Sequence, residues 1–174
     1  MWPAQFLGRA RKPSSSAVAD LTLHTHCVTR ETGDLSLHLE KALRASRERV
    51  FAACVEPEQL AEWWGPAGFT APSVDLDVRA GGRYRITMQP PDGEAFHLSG
   101  MYSEVDPLRR LVYTFEWEEP DPDDQETLVK LSFLDDREGT RLVLDHGPFA
   151  TEARYALHAA GWTETLERLA QFLA

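Results

Sequence analysis

The chain has 174 residues, which suits one domain, and its 43% apolar and 26% charged residues are the balance of a globular protein that buries a core. Net charge is −10, and setting aside the basic first 33 residues (four Lys/Arg, two Asp/Glu) leaves −12 on the remainder, so the basic footprint that nucleic acid or an anionic membrane requires is missing. No apolar run approaches the roughly 20 residues of a membrane helix, and two cysteines, Cys27 and Cys54, follow no metal spacing and are too few for a disulfide framework, which points to a reducing cytoplasm.

Residues 1–33 are basic and Ser/Pro-bearing without sustained periodicity, and their charges follow rather than precede a short apolar start, unlike a secretory signal. They read as a flexible N-terminal extension or a mis-called start, since Met1 is followed by no methionine until Met88. His24, His26 and Cys27 form a close cluster there, short of the ligand number and rigid frame of a metal site. From residue 34 the pattern becomes regular. LSLHLEKAL alternates as a strand over 35–43, and Ser46 is placed to cap a short helix carrying Val50, Phe51 and Cys54 on one face. Pro57 opens a second short helix, where its missing N–H costs nothing. Leu60, Trp63 and Trp64 form one inward stripe of that helix, and Gly65-Pro66 ends it.

Six more strands are expected at about 70–79, 83–89, 95–105, 110–117, 126–134 and 139–146, each bounded by turn chemistry such as PPDG at 90–93 or DDREG at 135–139. Alternation places Tyr84, Ile86 and Met88 on one face of the 83–89 strand, opposite Arg83 and Arg85, and gathers Leu111, Tyr113, Phe115 and Trp117 on one face of the 110–117 strand. The acidic run EEPDPDD at 118–124 reads as a solvated loop. A long helix over about 151–173 carries the stripe Tyr155, Ala159, Trp162, Leu166, Leu169 and Leu173. Gly161 interrupts that helix at a cost of about 1 kcal/mol relative to alanine, so its missing side chain should serve close approach to the sheet or to a ligand. The order strand, two short helices, six strands, long helix is satisfied by an antiparallel sheet folded around the last helix.

These residues also carry a resemblance. SRERVFAACVEPEQLAEWWGP at 46–66, Gly81-Gly82-Arg83-Tyr84, GMYSEVDPLRRLVYTFEW at 100–117, HGPF at 146–149 and Gly161-Trp162 together resemble the SRPBCC, START-like superfamily. The match is to its branch homologous to the activator of the heat-shock protein 90 ATPase, over about 34–174. Glu56 stands where that pattern usually has Asp, and 1–33 has no counterpart in it. The resemblance implies an α+β helix-grip fold: a seven-stranded antiparallel sheet wrapped around a long C-terminal helix, with two short helices between strands 1 and 2. An apolar cavity is implied between them.

The functional expectation is binding of a small hydrophobic or aromatic molecule in that cavity, with no cofactor or metal, no nucleic acid and no membrane. Cavity candidates are Trp64, Phe69, Tyr84, Met88, Phe96, Tyr113, Phe115, Trp117, His146, Phe149 and Trp162, with Tyr84, Tyr113 and His146 offering polar atoms. His146 shares the inward parity of Leu142 and Leu144 and is read as a bonded core histidine, a ligand contact or a proton-transfer group; His158 lies off the apolar stripe and is expected to be exposed. No GxSxG, HExxH or phosphate-binding glycine loop is present. Two further readings come from the resemblance: a cyclase or dehydratase acting on a polyketide-like substrate, and a chaperone or stress-response partner. A homodimer is left open.

Overall fold

The computed structural model describes residues 35–174; the His24, His26 and Cys27 cluster and the 1–33 extension lie outside the described residues. The elements follow in the order β1 (Leu37–Leu43), α1 (Arg47–Val55), α2 (Pro57–Trp63), β2 (Thr70–Leu76), β3 (Arg83–Gln89), β4 (Phe96–Asp106), β5 (Arg110–Trp117), β6 (Thr127–Asp136), β7 (Gly139–Gly147) and α3 (Glu152–Leu173). All seven strands form one antiparallel sheet in the order β1-β7-β6-β5-β4-β3-β2, curled around α3. This is the α+β helix-grip fold. No helix among the described residues is long and apolar enough to cross a membrane.

Local chemistry sets the element ends. Ser46 Oγ accepts from Arg49 N to cap α1, and Thr151 Oγ1 accepts from Arg154 N at 3.2 Å to cap α3. Pro57 occupies the first turn of α2, and Gly65 follows that helix with φ +88°, a conformation that disfavours any Cβ. β2 stops at Leu76, three residues short of the expected end, because the chain turns after Asp77, with Arg79 N bonding Asp77 O and Gly82 N bonding Arg79 O.

The alternating strands place their apolar faces as the sequence predicts. Tyr84, Ile86 and Met88 are buried and Arg83 and Arg85 exposed; Leu111, Tyr113, Phe115 and Trp117 are all buried. They meet Trp162, Leu166, Leu169 and Leu173 of α3 in one continuous core. At Gly100 of β4 a Cβ would stand 2.0 Å from Thr114 O and 2.7 Å from the Tyr84 ring, so this glycine lets the tyrosine lie flat across its neighbouring strand.

Candidate functional site

The adjacent tryptophans that end α2 have different surroundings. Trp63 is 2% exposed and its Nε1 donates to Ala53 O at 2.9 Å, tying α2 to α1. Trp64 is 6% exposed, packs edge-to-face on Trp63 and on Trp162, and its buried Nε1 has no hydrogen-bond partner among the described residues.

The turn that carries Trp64 is held from α3. The Arg168 guanidinium is ringed by the carbonyls of Trp64, Gly65, Pro66 and Phe69 at 3.0–3.1 Å and donates through its other terminal nitrogen to Glu62 O at 3.0 Å, while Glu164 accepts from Ala67 N. α2 has no basic residue in its own last turn to meet its free carbonyls. Arg168 supplies that charge from about 100 positions away.

Two small apolar cavities meet at Trp64. One, about 20 Å³, lies between α3 and the sheet and is bordered by Trp64, Gly65, Met88, Phe115, Trp117, His158, Gly161, Trp162 and Thr165. The other, also about 20 Å³, lies under α1 and α2 and is bordered by Trp64 with Trp63, Leu60, Cys54, Tyr84, Tyr102, Tyr113 and the aliphatics Leu76, Ile86, Leu111 and Leu131. Each has room for about one water. The apolar cavity implied by the resemblance is occupied mainly by rings, with Trp64 as the partition between what remains. A third gap of about 10 Å³ lies beyond Phe115 and Trp117, against Phe149, His158 and Arg154. An open surface groove of about 470 Å³ lies between Ser46, Arg47, Glu48, Leu108, Asp135 and Gly139, spanned by the Arg47–Asp135 ion pair, and shares no lining residue with these cavities.

Of the eleven residues expected to line a cavity, all are buried. Trp64, Met88, Phe115, Trp117 and Trp162 border the first cavity, Trp64, Tyr84 and Tyr113 the second, and Phe149 the third gap. Phe69, Phe96 and His146 are core residues bordering none of the three.

Two of the three expected polar groups, Tyr84 and His146, are bound into the protein itself. Tyr84 Oη donates to Thr114 O at 2.7 Å. Trp162 Nε1 can only donate, so its 2.8 Å bond makes His146 Nδ1 an acceptor; Nε2–H then donates to Thr127 Oγ1 at 2.7 Å, and Thr127 donates to Phe115 O at 3.2 Å. This one-way chain uses both nitrogens of a neutral His146. Burial, with the neighbouring His158, holds its pKa well below the ordinary value of 6.5. Tyr113 is also held neutral, its pKa raised well above 10 by burial. Cys54 is a free buried thiol pushed up to about 12 by burial, far from a thiolate.

His158 corrects an expectation: it is 5% exposed and borders the first cavity. Its Nδ1 donates to Arg154 O at 2.8 Å within its own helix, and burial lowers its pKa. Thr165 likewise returns its hydroxyl to Gly161 O at 2.8 Å. Polar residues face inward here because the helix backbone satisfies them.

The acidic loop also differs from expectation, being pinned rather than merely solvated. Arg154, only 11% exposed at its side chain, pairs with Asp121, Asp123 and Asp124. Glu118 is gripped by both sides of the Arg85 fork at 2.8 Å, and Glu119 accepts from the His97 backbone N–H and meets its Nδ1 at 2.8 Å. His97, Glu118 and Glu119 could together face a cation, but both oxygens of each carboxylate are already engaged, Glu118 by Arg85 and Glu119 by His97.

Comparison with known proteins agrees with this architecture. The family described as Activator of Hsp90 ATPase homolog 1-like protein matches residues 44–174. A crystal structure of a protein from Chromobacterium violaceum superposes with a TM-score of 0.71 at 25% identity, covering 79% of this chain and 96% of that one. One from Nitrosomonas europaea gives 0.70 at 26% identity, covering 82% and 96%. The AHSA1 protein from Silicibacter pomeroyi gives 0.68 at 31% identity, covering 78% and 95%. No curated protein matches the sequence. With its family match spanning three quarters of the sequence and the helix-grip fold in place, this chain belongs to the Activator of Hsp90 ATPase homolog 1-like family.

Proposed function

We propose that this protein binds a small hydrophobic or aromatic molecule between the sheet and α3, in the space now divided by Trp64. The observation that carries this reading is the pair of apolar cavities with Trp64 as their common wall. A ligand larger than a water must join them by moving that ring. Trp64 is the ring best suited to move. Its displacement gives up edge-to-face contacts worth about 0.5–1.5 kcal/mol each, whereas moving Trp63 or Trp162 would also break a buried hydrogen bond. Gly161 contributes by absence, presenting no side chain to the first cavity between its helix neighbours His158, Trp162 and Thr165. The tied-up His146 and protonated Cys54 favour binding over proton transfer or nucleophilic chemistry.

The test is a fluorescence titration of the full chain with N-phenyl-1-naphthylamine, alongside native mass spectrometry of the purified protein. Saturable one-to-one binding is expected. Gly161→Leu, whose side chain enters the first cavity, should weaken it at least tenfold while the solvent-facing Arg85→Ala leaves it unchanged. No co-purified adduct together with no saturable probe binding would overturn the reading.

A further inference from the structure

Three buried donors around the two cavities are spoken for by acceptors within the protein. Trp63 reaches Ala53 O, Trp162 reaches His146, and the tyrosine at position 84 reaches Thr114 O. Trp64 Nε1 is different: it is buried and unpartnered among the described residues, on a ring that walls both cavities. Leaving such a donor unmet costs about 1–3 kcal/mol. A trapped water is a poor remedy in so apolar a space, because it needs two to four polar partners of its own. A carbonyl or ether oxygen on an apolar body needs only the one donor.

Charge narrows the class further. The nearest guanidinium, Arg168, is enclosed by the backbone carbonyls of the Trp64 turn, and His158 is buried with Nδ1 bonded to its own helix. Among the described residues bordering the two cavities, no cationic group is thereby left to meet a carboxylate or phosphate.

Resting on the ligand-binding reading above, we infer that the ligand is a neutral aromatic or apolar molecule bearing a hydrogen-bond acceptor, and that Trp64 Nε1 is the donor that recognises it. Trp64 thus serves as both partition and specificity determinant. A hydrocarbon of the same shape leaves the donor unmet, and an anion meets no counter-charge.

Matched probes test this directly. Acetophenone and α-methylstyrene have nearly the same shape and differ in C=O against C=CH2; benzoate adds the charge. Each is titrated into the ¹⁵N-labelled full chain, following the indole N–H resonances. Acetophenone should bind about tenfold more tightly than α-methylstyrene and shift the Trp64 N–H signal, which α-methylstyrene leaves near its free position; benzoate should not bind. In Trp64→Phe the preference for acetophenone should shrink to within twofold. The wild-type affinity ratio and indole shift decide the matter even where that variant folds poorly. Equal wild-type affinities, a Trp64 N–H unmoved by acetophenone, or a preference that survives in folded Trp64→Phe would overturn the inference. Equal affinities would leave ligand binding standing, whereas no binding of these probes or of N-phenyl-1-naphthylamine would overturn both readings.

Discussion

The core has two halves that are built differently. One half is mainly aliphatic: Leu37, Val129, Leu142, Leu144 and Leu169, with Val50 from α1, are all 2% exposed or less. None of these residues borders an interior cavity. Where α3 faces β3, β4 and β5, the core is made of rings meeting edge-on, such as Trp64 on Trp162 at 5.3 Å and 88° and Phe115 on Trp117 at 5.0 Å and 88°. The gaps lie there. Branched aliphatic chains interdigitate to the density of organic crystals, whereas rigid planes set at right angles leave wedges. One half is built for cohesion, and the other keeps room.

The largest effect should come from opening the closed half. Leu169→Ala removes a fully buried side chain with no neighbouring space to collapse into, and should cost about 4 kcal/mol in urea unfolding. A loss below about 1 kcal/mol would show that this half is as loose as the other and erase the contrast. Next comes the tie that holds the ring half shut. Arg168→Ala should cost about 2–3 kcal/mol, because the carbonyls after α2 lose a charged donor. Arg168→Lys should recover only part, since a point charge cannot replace the guanidinium fork. Full recovery would reduce Arg168 to simple charge.

The smallest effect sharpens the comparison by pH. Both histidines of the ring half, His146 and His158, have folded pKa values below the ordinary 6.5. Below that pH the unfolded chain therefore takes up protons that the folded chain refuses. Stability should be complete above about pH 6.5 and fall as pH drops below it, by at most about 1.4 kcal/mol per pH unit for each histidine. His38 works the other way, raised by its bond to Asp145, but its partly exposed position screens the effect. The urea midpoint measured from pH 8 to pH 5 tests this; a flat profile would mean that the imidazoles accept protons within the core.

Much of this was legible in the sequence. β3 and β5 lie where alternation places them, and both tryptophans of α2 are inward as their spacing predicts. His158 was misplaced because a stripe counted by side-chain polarity overlooks a polar group that bonds back to its own helix, at Arg154 O. Arg168 and Arg154 were missed for a related reason. Their partners lie in segments distant in sequence, and nothing in the local pattern distinguishes a helix arginine that reaches solvent from one that completes another helix. The fill of the cavity was not legible either, since it depends on how individual rings turn.

The dependence of the Trp64 turn on Arg168 has a consequence for the order of assembly. The turn at 64–69 acquires its capping charge from a residue made about 100 positions later, and β1 waits as long for its neighbour, with His38 meeting Asp145 across 107 positions. The meander β2 to β5 can form from sequential hairpins, but the tryptophan turn and the first strand cannot reach their final partners until β7 and α3 have been synthesised. Non-local closure of this kind slows folding. On a ribosome, neither half of the core would be watertight before the final helix docks, and the tryptophans of the ring half would stay exposed until then.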